Sequence, residues 1–333
     1  MSEARPPEVA EGRSALGESV RRWLMRPEAP ALVFLVLLMV VFSLTANGCL
    51  QGPNIQSILT QVAVVGIIAL AVNQVILCGE IDISTGSMLG LCAVTAGMAS
   101  TAAGGLVLPL LAGVATGAVA GAVNGFLVTL GRIPAIIVTL GMLYALRGVI
   151  LLITGGSFVT GIPADTRALG IGTVLGLNTP VIILFTLFVV MALVGSHSTW
   201  GRNVFAVGGN RRAARLAGLS VDRTRFLAFV LVGVFTGIAS VIFLGRAGAV
   251  QTTAGTGIEL QVIAAVVVGG TSIAGGRGSA LAVLVGATLI GVILNGVLLL
   301  GVPSVWQDFV LGALILLAVS VDAVRRRLVG GKA

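Results

Sequence analysis

Two carboxylates stand two positions apart in Gly79-Glu80-Ile81-Asp82-Ile83-Ser84-Thr85-Gly86-Ser87, between two long apolar runs. An acidic group at membrane depth costs roughly a few kcal/mol, so it marks a functional position by default. Flanking glycines suit a break in a helix, and a broken helix turns backbone polar groups toward a cavity. A second reading fits the same residues: a plain cytoplasmic turn in which Asp82 or Ser84 caps the next helix. The run leading in carries Asn73 and Gln74, suited to a substrate path or to hydrogen bonds between helices. Little else could do covalent chemistry. His197 is the only histidine, so a His-based metal cluster or a Ser-His-Asp triad is hard to assemble. The expectation is a chain with no catalytic residue and no metal ligand.

A second stretch is Val207-Gly208-Gly209-Asn210-Arg211-Arg212-Ala213-Ala214-Arg215-Leu216-Ala217-Gly218-Leu219. Asn210 suits an N-cap, Arg211 to Ala217 are helix formers, and Gly218 suits a left-handed helix end. A helix of two turns is marginal alone and needs something to dock against. A basic helix lying on anionic lipid is the other reading. A third stretch, Ile258 to Ser279, is rich in glycine near its end, at Gly269-Gly270 and Gly275-Gly276-Arg277-Gly278. Glycine-rich loops cradle phosphate, but the Gly, four residues, Gly-Lys-Ser/Thr pattern is missing and the only lysine is Lys332. The chain is not itself a P-loop ATPase.

The elements that hold these stretches are apolar. Of 333 residues, 57% are hydrophobic and 10% charged, with mean hydropathy +1.11. A soluble domain of this size needs more polar surface. Each spanning helix takes about 20 apolar residues, and continuous rather than alternating runs disfavour a β-barrel. The 47 glycines let helix backbones approach closely. The fold class expected is all-α: a polytopic transmembrane helical bundle of roughly ten spans. The apolar runs are Pro30–Ala46, Ile55–Leu77, Ser84–Thr101, Leu106–Leu130, Pro134–Thr154, Pro180–Gly195, Phe226–Gly245, Ile258–Ile273, Ser279–Leu300 and Ser304–Ala323. Residues 1–29 read as a polar cytoplasmic segment, 30–323 as the membrane domain and 324–333 as a basic cytoplasmic tail.

The net charge of +8 is not a nucleic-acid signal, because the arginines sit in short stretches between apolar runs. The positive-inside rule puts Arg5 to Arg26, Arg202 to Arg225 and Arg325 to Arg327 in the cytoplasm. Both termini and the loop 196–225 are therefore expected inside, leaving only Arg147, Arg167 and Arg246 within spans or outside. Cys49, Cys78 and Cys92 lack paired spacing and read as packing residues. Cys49 follows a faint lipoprotein-like sequence, but its leader is long and Asn47 fits poorly, so the first run reads as an uncleaved span. An internal repeat is visible: Val123-Asn124-Gly125-Phe126-Leu127 before Gly131 and Pro134 resembles Leu294-Asn295-Gly296-Val297-Leu298 before Gly301 and Pro303. An offset of five spans makes the copies inverted, placing Asn124 and Asn295 among the candidate path residues.

The three stretches together resemble the permease subunits of ribose-type monosaccharide ABC importers. Gly79-Glu80-Ile81-Asp82-Ile83-Ser84 is similar to that family's Gly-Gly-Ile-Asp-Leu-Ser. Gly208-Gly209-Asn210, Ala213-Ala214 and Gly218-Leu219 resemble its ATPase-facing loop. Glu259-Leu260, Ile263-Ala264-Ala265, Gly269-Gly270-Thr271-Ser272 and Gly275 to Ser279 resemble its C-terminal signature. The resemblance runs from about Ile55 to Val321; Glu80 and Thr85 depart from the residues common there. It implies a multi-pass protein of a bacterial inner membrane that moves a monosaccharide and does no covalent chemistry itself. It implies a second permease copy or a related chain, an extracytoplasmic sugar-binding protein, and a cytoplasmic ABC ATPase that binds ATP and magnesium. The ATPase would grip Gly209 to Arg215, Gly218 and Leu219. The alternatives are a permease of the same superfamily for branched-chain amino acids or nucleosides, and an ion-coupled secondary transporter.

Overall fold

The computed structural model describes residues 28–103, 105–303 and 305–330. The polar segment expected over 1–29 thus lies almost wholly outside the described residues. Thirteen helices follow in order: α1 (Ala29–Thr45), α2 (Gly52–Leu77), α3 (Thr85–Ala103), α4 (Val107–Thr129), α5 (Ala135–Thr154), α6 (Ala164–Ile171), α7 (Thr179–His197), α8 (Thr199–Gly209), α9 (Arg211–Leu216), α10 (Val221–Ala247), α11 (Ile258–Gly269), α12 (Ala280–Leu299) and α13 (Val305–Gly330). The only sheet among the described residues is a two-stranded hairpin, β1 (Thr173–Val174) and β2 (Leu177–Asn178). Among the described residues, seven helices (α2, α3, α4, α5, α7, α10 and α12) are long and apolar enough to cross a membrane. Shorter apolar helices cover Ala29–Thr45, Ile258–Gly269 and Val305–Ser320. The molecule is a helical membrane bundle.

α2 is the centre, its residues from Val62 to Leu77 almost all buried. α10 lies beside it, and α4 packs on α10 through glycines four apart. A Cβ on Gly117 would overlap the Gly233 carbonyl, and one on Gly237 would sit 2.5 Å from the Gly113 oxygen. In lipid, where burial of apolar surface drives little, such backbone approach is what binds helices together.

Helix ends sort onto two faces. The end of α4, the start of α5, the start of α10 and the 79–81 turn share one recess, lined by Arg132, Arg211, Arg215 and Arg225. The Gly276 N–H donates to the Leu77 carbonyl at 2.9 Å, bringing the 270–279 loop and the end of α2 to this arginine face. At the opposite face Ser100 of α3 bonds Thr166 of α6 at 2.6 Å, and Gly245 near the end of α10 abuts Gly170. Asn54 and Asn295 exchange hydrogen bonds of 3.1 and 2.8 Å there, joining the start of α2 to the end of α12.

Four expectations need correction. The eighth run is not a full span: α11 has 12 residues, about 18 Å, and segment 248–257 before it is irregular. The loop 196–225 holds two helices rather than one, and α10 starts at Val221 instead of Phe226. The tail from 324 continues α13 as far as Gly330. Between α5 and α7, where no element was expected, α6 and the hairpin lie on the face opposite the arginines. The hairpin turns at Leu175 and Gly176, both at positive φ, as a tight two-residue turn demands.

Candidate functional site

Residues 79–84 form a break between α2 and α3, and its two carboxylates do different work. Asp82 is fully buried. Its Oδ1 accepts from the Ser84 N–H at 2.9 Å and the Ser84 hydroxyl at 2.6 Å. The Asn124 amide donates to the Ser84 hydroxyl at 2.9 Å and reaches Asp82 Oδ2 at 3.4 Å. Asp82, Ser84 and Asn124 therefore tie the start of α3 to α4, closed to solvent in this conformation. Burial pushes the Asp82 carboxyl up from its ordinary value, against the bonds from Ser84 and Asn124. The Asn124 carbonyl, Thr85 Oγ1 and Ser87 Oγ beside it are buried without a partner.

Glu80 instead faces the recess, a cavity of about 920 Å³. Its Oε1 takes Arg225 Nε at 3.0 Å and Arg211 Nη2 at 2.7 Å. Arg211 Nη2 also donates to the Cys78 and Gly79 carbonyls at 2.9 and 3.0 Å. Arg225 reaches Asp222 at 3.3 Å. One carboxylate thus joins the break to α9 and to α10. Arg211 is thus paired with Glu80 and two carbonyls, its side chain still 43% exposed. Among the described residues Arg215 pairs only with Asp222, at 3.6 Å, with both side chains exposed. Burial pushes the Cys78 thiol up to about 12, so it is an inert packing group.

α9 forms as its residue types dictate. Asn210 Oδ1 accepts from the Ala213 N–H at 3.0 Å, and Gly218 takes φ +80. Ala214 is buried against the bundle, while Ala213, Arg212 and Leu216 point outward, Leu216 83% exposed. Leu216 is the last residue of the helix and follows Arg215. α8 seats it: Gly201, Val204 and Val207 are buried, and a Cβ on Gly208 would collide with the Leu77 carbonyl. Gly275 and Gly276 close the same spot from the third stretch, within 3.1 Å of Gly208 and Gly209 backbone for an added Cβ. Asn73 Oδ1 accepts from the Thr271 hydroxyl at 2.8 Å, with Gln74 buried next to it.

The fold thus gathers all three stretches at one face: Glu80, Gly209, Arg211 and the Gly275-Gly276 turn within one cluster, Asn73 beneath it. Asp82, Ser84 and Asn124 sit deeper. Asn295 is not part of this group; it pairs with Asn54 at the far end. His197 is exposed beside Ser196. Sequence reasoning missed Arg225 as the second partner of Glu80, and it missed the 250–257 turn altogether. The signal for that turn was Gly255 and Gly257 ahead of an apolar run.

Residues 54–319 match the family described as the permease component of branched-chain amino acid transport systems. The chain belongs to that family. The ribose import permease protein RbsC of Escherichia coli (strain K12) is 40% identical over 307 residues, covering 91% of this chain and 95% of that protein. The autoinducer 2 import system permease protein LsrC of Yersinia enterocolitica is 36% identical over 300 residues, covering 90% of this chain and 83% of that one. No solved structure matches the chain. This permease is a subunit of an ABC import system and a multi-pass membrane protein, a transport component rather than an enzyme. Such a subunit works with an ATPase and a binding protein.

Proposed function

We propose that this permease imports a monosaccharide, delivered outside the cell by a binding protein and driven by ATP hydrolysis in a separate chain. The observation that carries the reading is the relationship to the ribose import permease over nearly the whole of both chains. Two copies of this permease, or one with a related chain, enclose the path in the bacterial inner membrane. The ATPase, which holds ATP and magnesium, docks on the arginine face at α9, touching Ala213, Arg212, Leu216 and the Gly218 turn. Glu80, through Arg211 and Arg225, carries that movement to the α2–α3 break and to α10. Asp82, Ser84 and Asn124 hold the break rigid.

The arginine face is cytoplasmic in this reading, and the chain crosses about ten times with both termini inside. The alternation of helix ends between the two faces supports it. Packing also supports an inverted repeat that pairs α2 with α10, α3 with α11, α4 with α12 and α5 with α13. α4 packs on α10 as α12 does on α2; α3 touches α10 and α5 as α11 touches α2 and α13.

Branched-chain amino acids are the second reading, from the family's description. Vesicles containing the permease, its ATPase and its binding protein decide between them. ATP-dependent accumulation of D-ribose without leucine is expected; accumulation of leucine alone overturns the sugar assignment.

A further inference from the structure

After α10 ends at Ala247, the chain does not cross back as helix. Val250 pairs with Val159 through bonds of 2.9 and 3.0 Å, and residues 251–257 then turn irregularly until α11 begins at Ile258. Depth follows from two helices. α11 is 12 residues long and ends at the arginine face, so it starts about 18 Å beneath that face. Arg147 on α5 stands a similar ~18 Å from Ala135, which lines the recess. Arg147 Nη1 donates to the Thr252 carbonyl at 3.3 Å and the Ala254 carbonyl at 2.8 Å, so both measures place the turn near mid-membrane.

The turn is held from the other side by glycines of α3. A Cβ on Gly90 would lie 2.5 Å from the Ala254 carbonyl, and one on Gly86 would overlap Glu259 and crowd Gly255. The Glu259 carboxylate accepts from the Gly257 N–H at 3.2 Å. Arg147 and one oxygen of Glu259 shape the turn, while Glu259 Oε2 is buried with no hydrogen-bond partner among the described residues. What they leave exposed is neutral: Gln251, Thr253 and Thr256, with Tyr144, 74% exposed, one turn before Arg147 on α5.

Irregular backbone at membrane depth is tolerated only inside protein or along a water-filled cavity, and exposed amide and hydroxyl groups there are costly against lipid. Ligand sites of transporters form where helices are interrupted near the midplane. We infer that the Gln251–Thr256 turn, with Tyr144, is where the translocated solute contacts this permease, and that it takes a neutral polyhydroxylated molecule. This rests on the sugar-import reading and names where that solute is sensed. The exposed groups of the turn offer amide and hydroxyl donors and acceptors without charge, which suits a hydroxylated solute.

The test uses the permease in lipid vesicles with its ATPase and binding protein, and D-ribose as the probe. Thr253→Cys is expected to react with an impermeant methanethiosulfonate, and D-ribose uptake to stop on labelling. Val119→Cys, exposed on the apolar face of α4 midway along it, is expected not to react. The native Cys49, Cys78 and Cys92 are buried and give little background. Thr253→Val and Gln251→Leu are expected to lower D-ribose uptake about tenfold each, the worth of one hydrogen bond to a neutral group. Stimulation of ATP hydrolysis by the binding protein should stay at the wild-type level, which shows that the variants fold and couple. Failure of Thr253→Cys to label, or wild-type uptake by both Thr253→Val and Gln251→Leu, overturns the placement. Leucine transport without D-ribose transport by the wild-type complex overturns the ligand class together with the import reading, and labelling then judges the placement separately.

Discussion

Asp82 and Glu80 are two residues apart, yet one is a buried tie and the other an exposed-face joint. Asp82→Ala leaves the Ser84 hydroxyl and the Ser84 N–H buried without their acceptor, costing about 1–3 kcal/mol for each group. The variant is expected to melt about 5 °C or more below wild type in detergent, while Asp82→Asn, which keeps an acceptor oxygen, falls less. Equal melting of Asp82→Ala and wild type would show that the cluster holds nothing. For Glu80 the measurement is a double-mutant cycle with Arg225, whose side chain is 13% exposed against 11% for Glu80. Retention of the ATPase by Glu80→Ala, Arg225→Ala and the double variant is expected to show coupling of about 1 kcal/mol or more. Additive losses would remove Glu80 from the coupling path. The sequence made both carboxylates conspicuous, because acids between apolar runs are rare. It could not tell their roles apart: the partners that decide them, Asn124 and Arg225, lie far along the chain.

α9 was legible in outline because its signals are local: a capping asparagine, helix formers and a glycine for the left-handed end. Ala213→Glu and Gly218→Val are expected to insert normally yet lose the ATPase on co-purification and lose uptake. The first places a charge in a contact surface, and the second forces a β-branched residue to positive φ. Wild-type retention by both would return the basic loop to the lipid surface. α4 and α10 offer a contrast. Their glycines at intervals of four signal close packing, and Gly117→Val is expected to abolish the folded protein, read as loss of the monodisperse peak in detergent, since the Gly233 carbonyl occupies the new side chain's place. A normal peak would mean that these helices do not approach as described. α11 was misread as a span because apolar character runs unbroken to Gly269. Hydropathy reports what a segment can bury, not where its helix begins, and the break was set by Arg147 and Gly86 from other helices.

On the scale of the whole molecule, the proposed orientation rests on the arginines gathered at one face, which the positive-inside rule puts inside. Cysteine in place of Arg212 is expected to resist impermeant thiol reagents in intact cells and to react in inverted membranes; labelling from outside would reverse the molecule. The number of apolar runs was readable in the sequence, since each corresponds to a helix. The hairpin and α6 were not, because short polar elements leave no run to find. The account's central claim is that this permease moves solute only when an ATPase drives it and a binding protein loads it. The most direct measurement is D-ribose uptake into vesicles holding the permease alone, with the ATPase, and with ATPase, binding protein and ATP. Accumulation in the last case only, unaffected by collapse of ion gradients, is the result expected. Rapid uptake by the permease alone under a proton or sodium gradient would contradict the account and make the chain an ion-coupled carrier.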